Sequence, residues 1–384
     1  MDRRTVICVS DSIISPLGMN SEENYAAVYG GESAVRRYDG MGKRGESVVM
    51  SRLDREKIKA ERERRGIGEQ YSFFEGLCIM AALDACASAG IDASRGSTLF
   101  VVSTTKANVS MLGGADPDLP RSRVLPGVAA RAVSGFFRNP NAPLVVCNAC
   151  ISGVSAQIQA LRALRSGRYD TAVVVGADEQ SEFIYSGFLS FKALSDEPCR
   201  PFDADRKGLN PGEAAAAMVL KAVDKAGSGD WTLVAGASRN DANHISGPSR
   251  TGEGSYLVLK QMLRYCSPDE LAFINVHGTA TAYNDEMESI AIDRAGLIDV
   301  PVTGLKGCYG HTMGAAGLLE SILAMRAVEH GCVLATRGFS RPGVSRPVNV
   351  SASDRPTARR SFIKLISGFG GSNAALLYRK EEKI

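Results

Sequence analysis

Short β-branched runs alternate along the chain with longer amphipathic stretches, and this alternation predicts α/β layering. The pattern predicts strands over 5–9, 98–102, 144–147, 171–176, 216–221, 231–235, 271–277, 362–366 and 374–378. Many of these runs are apolar throughout, as strands covered on both faces are. Helices are predicted over 70–89, 152–166, 255–265, 285–295 and 314–330. Val154, Ile158 and Leu161 fall at helical spacing before a stop at Gly167, and Leu318, Ile322 and Met325 repeat the arrangement before Gly331. A polar turn over 224–230 divides the pattern, so the chain reads as two similar α/β halves, 1–228 and 229–384.

Composition narrows the class. With 384 residues, 44% hydrophobic and 23% charged, the chain has a globular make-up that excludes disorder and coiled coil. A net charge of +3 is too small for a protein held to nucleic acid by a general positive field. No apolar run approaches the roughly 18–20 residues of a membrane span. Met1-Asp2-Arg3-Arg4 leads directly into a strand instead of a signal-peptide core, so a cytoplasmic protein is expected. Nine scattered cysteines, an odd number, read as reduced thiols. The most charged stretch, 52–65, carries seven basic and four acidic residues and reads first as a solvated helix or loop.

Candidate chemistry lies at three places. Cys147 and Cys150 stand between the strand at 144–147 and the helix at 152–166. A thiol in the first helical turn faces unpaired N–H groups and the positive end of the helix, which favour thiolate, and Cys150 holds that position. The alternatives are two small buried hydrophobes, or a redox or zinc C-x-x-C, for which no second pair is present. His277 ends a buried strand and is followed by Gly278 and Thr279; His311 stands in a glycine-rich run, Gly310 to Gly317. Either could be structural alone. Together with a thiolate they supply a nucleophile and two N–H donors able to hold a developing enolate. The two histidines lie 34 residues apart without a partner at ligand spacing, so no metal is expected.

Five blocks, in order, resemble the elongating β-ketoacyl-[acyl-carrier-protein] synthases of the thiolase superfamily: Asn148 to Ser152; Arg200 to Arg206 with Gly212-Glu213; His277 to Thr281 with Asp285 and Glu288; Lys306 with Gly310 to Gly317 and Glu320; and Gly368 to Asn373. The Cys-His-His set separates the chain from initiating synthases, which have Asn in place of His311, and from thiolases, which have a second catalytic cysteine. Gly278-Thr279-Ala280-Thr281, Lys306-Gly307 and Ser367-Gly368-Phe369 depart from the usual phrases, leaving acyl type and length open.

The resemblance implies the five-layered αβαβα thiolase-like fold with two similar halves, and decarboxylative Claisen condensation of an acyl-enzyme with malonyl-acyl carrier protein. That reaction serves fatty acid, polyketide or polyene synthesis. Cys150 would be the nucleophile, His277 and His311 the enolate donors, Lys306 a further catalytic residue supported by Glu320, and the amides of Cys150 and Phe369 the oxyanion hole. Phe369 would also gate the acyl chain, and the segment from Ser103 to Phe137 would help shape its tunnel. Thr279, Thr281 and Ser246 would hold the phosphopantetheine arm, which the carrier protein supplies in the absence of any bound cofactor. Arg62, Arg64 and Arg65 would dock the acidic carrier. A homodimer or a heterodimer with a related subunit is expected. The alternative is a partner subunit that only shapes the tunnel, though such subunits lack the cysteine.

Overall fold

The computed structural model describes residues 4–41, 45–241 and 243–382, so the first three residues of the leader reading lie outside it. The first half runs β1 (Thr5–Ile14), α1 (Phe73–Ala89), β2 (Thr98–Ser103), α2 (Pro126–Phe136), β3 (Leu144–Val146), α3 (Ser152–Arg165), β4 (Thr171–Asp178) and β5 (Ala214–Val223). The second repeats the sequence of elements: β6 (Trp231–Asn240), α4 (Glu253–Met262), β7 (Leu271–Asn275), α5 (Ala282–Arg294), β8 (Val302–Thr303), α6 (Ala316–Glu329), β9 (Ser361–Gly368) and β10 (Ser372–Lys380).

The strand orders correspond as well: β3-β2-β4-β5-β1 in one half and β8-β7-β9-β10-β6 in the other. In each, the three strands farthest from the junction are parallel and the last two pairings are antiparallel. The arrays meet edge to edge through only two residue pairs, Ile7–Thr232 and Cys8–Trp231. The duplication divides in the turn between β5 and β6, at 224–230.

Burial of apolar side chains produces five layers. One core holds the inner faces of both arrays around α3 and α6. A second packs the outer face of the first array on α1 and α2, and a third packs the outer face of the second on α4 and α5. Helices α3 and α6, enclosed on nearly every side, carry Gly, Ala and Ser where bulk would not fit. Gln157 of α3 donates to the Gly317 carbonyl at 3.0 Å and accepts from Tyr378 Oη at 2.6 Å, so its amide stays satisfied inside an apolar layer. No helix among the described residues is long and apolar enough to cross a membrane. All nine cysteines are free thiols.

Most predicted elements shift by only a few residues. Helices at Ser21–Tyr29, Arg55–Arg64, α2 and Glu182–Ser190 have no counterpart in the hydrophobic pattern, nor has the two-residue β8. Arg55–Arg64 is helical through its cap, Asp54, which accepts the N–H groups of Glu56 and Lys57, and it buries only Ile58.

The layer at the centre depends on backbone contact. A Cβ on Gly317 would lie 2.4 Å from Val154 N and 2.8 Å from Gly153 C, atoms that cannot swing aside. Gly317→Ala should therefore cost about 1–3 kcal/mol and lower the thermal midpoint. Gly127→Ala, in a helix with nothing within 4 Å of the new methyl, should be neutral or stabilising. Equal melting of the two variants would show that the crossing tolerates side chains.

Candidate active site

Three loops at one end of the layers converge. The loop between β3 and α3 brings Cys150; Ala149 before it sits at φ 45°, a left-handed conformation that a residue with a side chain holds only under constraint. Ser152 supplies that constraint: its Oγ donates to the Ala149 carbonyl at 2.6 Å and accepts Asn148 N–H at 2.8 Å. The loop after β7 brings His277, whose N–H is held by Glu288 at 2.7 Å, with Gly278 N–H on the other carboxylate oxygen at 2.7 Å. The loop before α6 brings His311, whose N–H donates to the Asn210 carbonyl at 2.7 Å.

Cys150 Sγ and one ring nitrogen from each histidine lie within 4.8 Å of one another, and the imidazoles meet edge to face at 5.1 Å. All three residues are buried. His311 Nδ1 accepts Met313 N–H at 3.3 Å, which puts the ring proton on Nε2, a buried atom with no protein partner. His277 Nδ1 is likewise buried and unpartnered. The close approach of sulfur and two imidazoles, which the sequence spacing did not announce, is also a geometry that can hold a metal ion. His311 presents an N–H where a ligand needs a lone pair, however, so its ring is placed to donate a hydrogen bond.

Beneath the histidines lies a charged layer. Glu320 is bridged by two lysines with fully buried side chains: Lys306 at 2.7 Å, which also donates to the His277 carbonyl at 2.6 Å, and Lys364, which also donates to Asn275 Oδ1 at 2.7 Å. Burial and these lysines hold both imidazoles well below the usual histidine range, so both are neutral at physiological pH. Burial and the neighbouring Asp285 carboxylate push Glu288 up to about 7, against the two amides it accepts.

The expected thiolate is corrected. Burial pushes the Cys150 thiol up to about 11, outweighing the opposing pull of Lys306, Lys106 and the Phe369 N–H. The resting sulfur is therefore a thiol beside two neutral imidazoles. The Phe369 amide faces the Cys150 sulfur. Cys147, by contrast, is exposed and bonded to the Thr105 carbonyl.

Two cavities meet at Cys150 and the Phe369 ring, which packs on Phe188 and Phe191. One, of about 930 Å³, carries His277, His311, Thr279, Thr281 and Ser246 together. The other, of about 1160 Å³, is lined from the 103–137 segment between Thr105 and Asp116, together with Arg55 and Glu179, which no motif marked.

Arg62, Arg64 and Arg65 line neither cavity. Arg62 donates to the Gly68 and Tyr71 carbonyls at 3.1 and 2.7 Å, and Arg65 to the Met80 carbonyl and Asp84 at 3.2 and 2.6 Å, fastening their helix to α1. Only Arg64 is exposed, paired with Glu61. The three guanidiniums close together in sequence part in the structure because a helix aims successive residues in different directions.

Comparison with known proteins gives the same constellation a context. Family models described as Beta-ketoacyl synthase, N-terminal domain and C-terminal domain match residues 3–226 and 232–340. Nodulation protein E of Rhizobium leguminosarum bv. trifolii is 30% identical over 67% of this chain and 66% of its own length, so the chain spans just under two thirds of that relative. 3-oxoacyl-[acyl-carrier-protein] synthase 2 of Vibrio cholerae is 26% identical over 99% of this chain and 100% of its own. A ketosynthase solved in complex with its chain length factor, from Xenorhabdus doucetiae, superposes with a TM-score of 0.86 over 98% of both chains at 24% identity, which shows the shared fold.

The protonated state of Cys150 can be measured. In a Cys147→Ser background, alkylation of Cys150 by iodoacetamide should rise about tenfold per pH unit from pH 7 to 9, as the thiolate fraction grows below a pKa near 11. A plateau from pH 7 upward would mean a resting thiolate.

Proposed function

The chain belongs to the beta-ketoacyl synthase family, and on that premise we propose that it condenses an acyl group held on Cys150 with a malonyl unit carried by acyl carrier protein. The observation that carries the reading is the approach of Cys150, His277 and His311 to within 4.8 Å, with a buried, unpartnered nitrogen on each ring. Cys150 Sγ attacks the incoming thioester carbonyl, its proton passes by way of a neutral imidazole to the departing pantetheine thiol, and the acyl-enzyme remains. The amides of Cys150 and Phe369 hold the oxyanion of that step.

The malonyl thioester then loses its carboxylate as CO2. The C–C bond pair becomes an enolate, whose oxygen receives hydrogen bonds from His277 and His311. The enolate carbon attacks the acyl carbonyl, expelling the Cys150 sulfur, which takes up a proton. The product is a 3-oxoacyl thioester two carbons longer. Lys306 and Glu320 position the histidines and keep them neutral, so they act as donors.

The smaller cavity suits the phosphopantetheine arm, with Thr279 and Thr281, whose hydroxyls meet at 2.9 Å, and Ser246 along its wall. The carrier supplies that arm and no resident cofactor is invoked. Lys192, Lys207 and Arg250 are exposed on the lining of the same cavity and replace the arginines of 62–65 as the docking group for an acidic carrier. A second ketosynthase-like chain is the natural cover for the edge strand β3, where Leu144 is 41% exposed. Among the similar solved structures, two pair a ketosynthase with a chain length factor, which favours a heterodimer.

His311→Ala should still form the acyl-Cys150 adduct, seen by intact mass, while losing about a hundredfold or more in condensation with malonyl carrier. Condensation at the parent rate would overturn the two-histidine role. Lys192→Glu with Arg250→Glu should raise KM for carrier-bound substrate while leaving small thioester mimics unchanged, and the parent KM should rise with salt. Equal losses on both substrates would remove these residues from docking.

A further inference from the structure

The larger cavity is not lined as a saturated chain would require. Beside Cys150 it is apolar, with Val109, Ile184, Phe188 and Met313 packed together. The same cavity also carries Arg55, Ser110 and Glu179. Glu179 is only 6% exposed and accepts Ser110 Oγ–H at 2.6 Å. Arg55 lies over the Phe73 ring at 3.7 Å, pairs with the buried Glu213 at 2.6 Å and stands 3.9 Å from Glu179. Glu213 is itself held by Leu53 N–H at 2.8 Å and Gln180 N–H at 2.9 Å, so the guanidinium is locked in place. Even so, Arg55 Nη1 is buried with no protein partner, and so is Gln180 Oε1.

Buried polar groups left without hydrogen-bond partners are destabilising. A methyl terminus laid against this wall would meet polar groups that it cannot satisfy, whereas a carbonyl or hydroxyl oxygen would accept from the Arg55 guanidinium and from the acid form of Glu179 on the cavity lining. We propose that Arg55, Ser110 and Glu179 form a polar recognition element in the acyl cavity that selects chains carrying a distal keto or hydroxyl oxygen over saturated chains of equal length. The proposal rests on the condensing reading above and names the substrate class of that site.

Glu179 gives the element a second signature. Burial pushes its carboxyl up to about 7, with Ser110 and Arg55 opposing and Glu213 and Asp116 reinforcing; Lys106, Gln180, Ser181 and Glu182 stand on the same cavity wall. Below that value the carboxyl can donate to a chain oxygen; above it the carboxylate only accepts.

The test presents the full chain with N-acetylcysteamine thioesters of eight, ten and twelve carbons, each saturated or with an oxo group at the carbon before the terminal methyl. Cys150 adducts are followed by intact mass. At least one oxo chain should acylate the enzyme about tenfold faster than its saturated twin, and that advantage should shrink from pH 6 to pH 8. Glu179→Leu should abolish the advantage by slowing the oxo chain and speeding the saturated one. Glu179→Gln, which keeps the shape and a donor at every pH, should retain the advantage and lose its pH dependence, showing that misfolding is not the cause. Equal rates across all pairs in the parent enzyme, or an undiminished preference in Glu179→Leu, would overturn the proposal. If no thioester labelled Cys150, the condensing reading would fall first, and this proposal with it.

Discussion

The crossing of α3 and α6 in backbone contact is the constraint on which the site depends. Gly153 faces the Gly314 carbonyl and Gly317, and Gly317 faces Val154, with no room for a single carbon between them. Cys150 ends the loop that enters one helix and His311 lies in the loop that enters the other, so the helix spacing sets the distance from sulfur to imidazole. Widening the crossing by the width of a methyl group would carry the two loops apart by a length comparable with a hydrogen bond. A rigid scaffold is what lets residues on loops hold a reactive geometry.

Electrostatics completes what packing begins. Two buried lysines share a single glutamate beneath the histidines, so positive charge lies close under both rings. That charge disfavours imidazolium and favours any negative charge arising above it. The same field lowers the Cys150 pKa, but desolvation is larger, so the site is more comfortable with charge spread over a carbonyl oxygen than with charge resting on sulfur.

Much of this was legible in the residues. The alternation of buried strands and helices revealed both halves because hydrophobic periodicity records burial directly, and Cys150, His277 and His311 stood out because glycine-rich loops at strand ends are places where backbone must approach something closely. The thiol's protonation was misread because helix position is visible in a sequence while depth of burial is not. Arg62 and Arg65 misled for a related reason: a charge count shows that guanidiniums are present, yet only the fold shows that backbone carbonyls of Gly68, Tyr71 and Met80 are waiting for them. Arg55, Ser110 and Glu179 come from three separate segments, so no local pattern could have assembled them.

The repeated order of strands has a consequence for counting. The loops from β3 to α3 and from β8 to α6 occupy equivalent places in the two halves, yet one delivers a sulfur and the other an imidazole. A chain with identical halves would present the same side chain from both and would have either two nucleophiles and no donor opposite them, or the reverse. Because the repeats have specialised, the two halves share one centre, and each chain offers a single sulfur there.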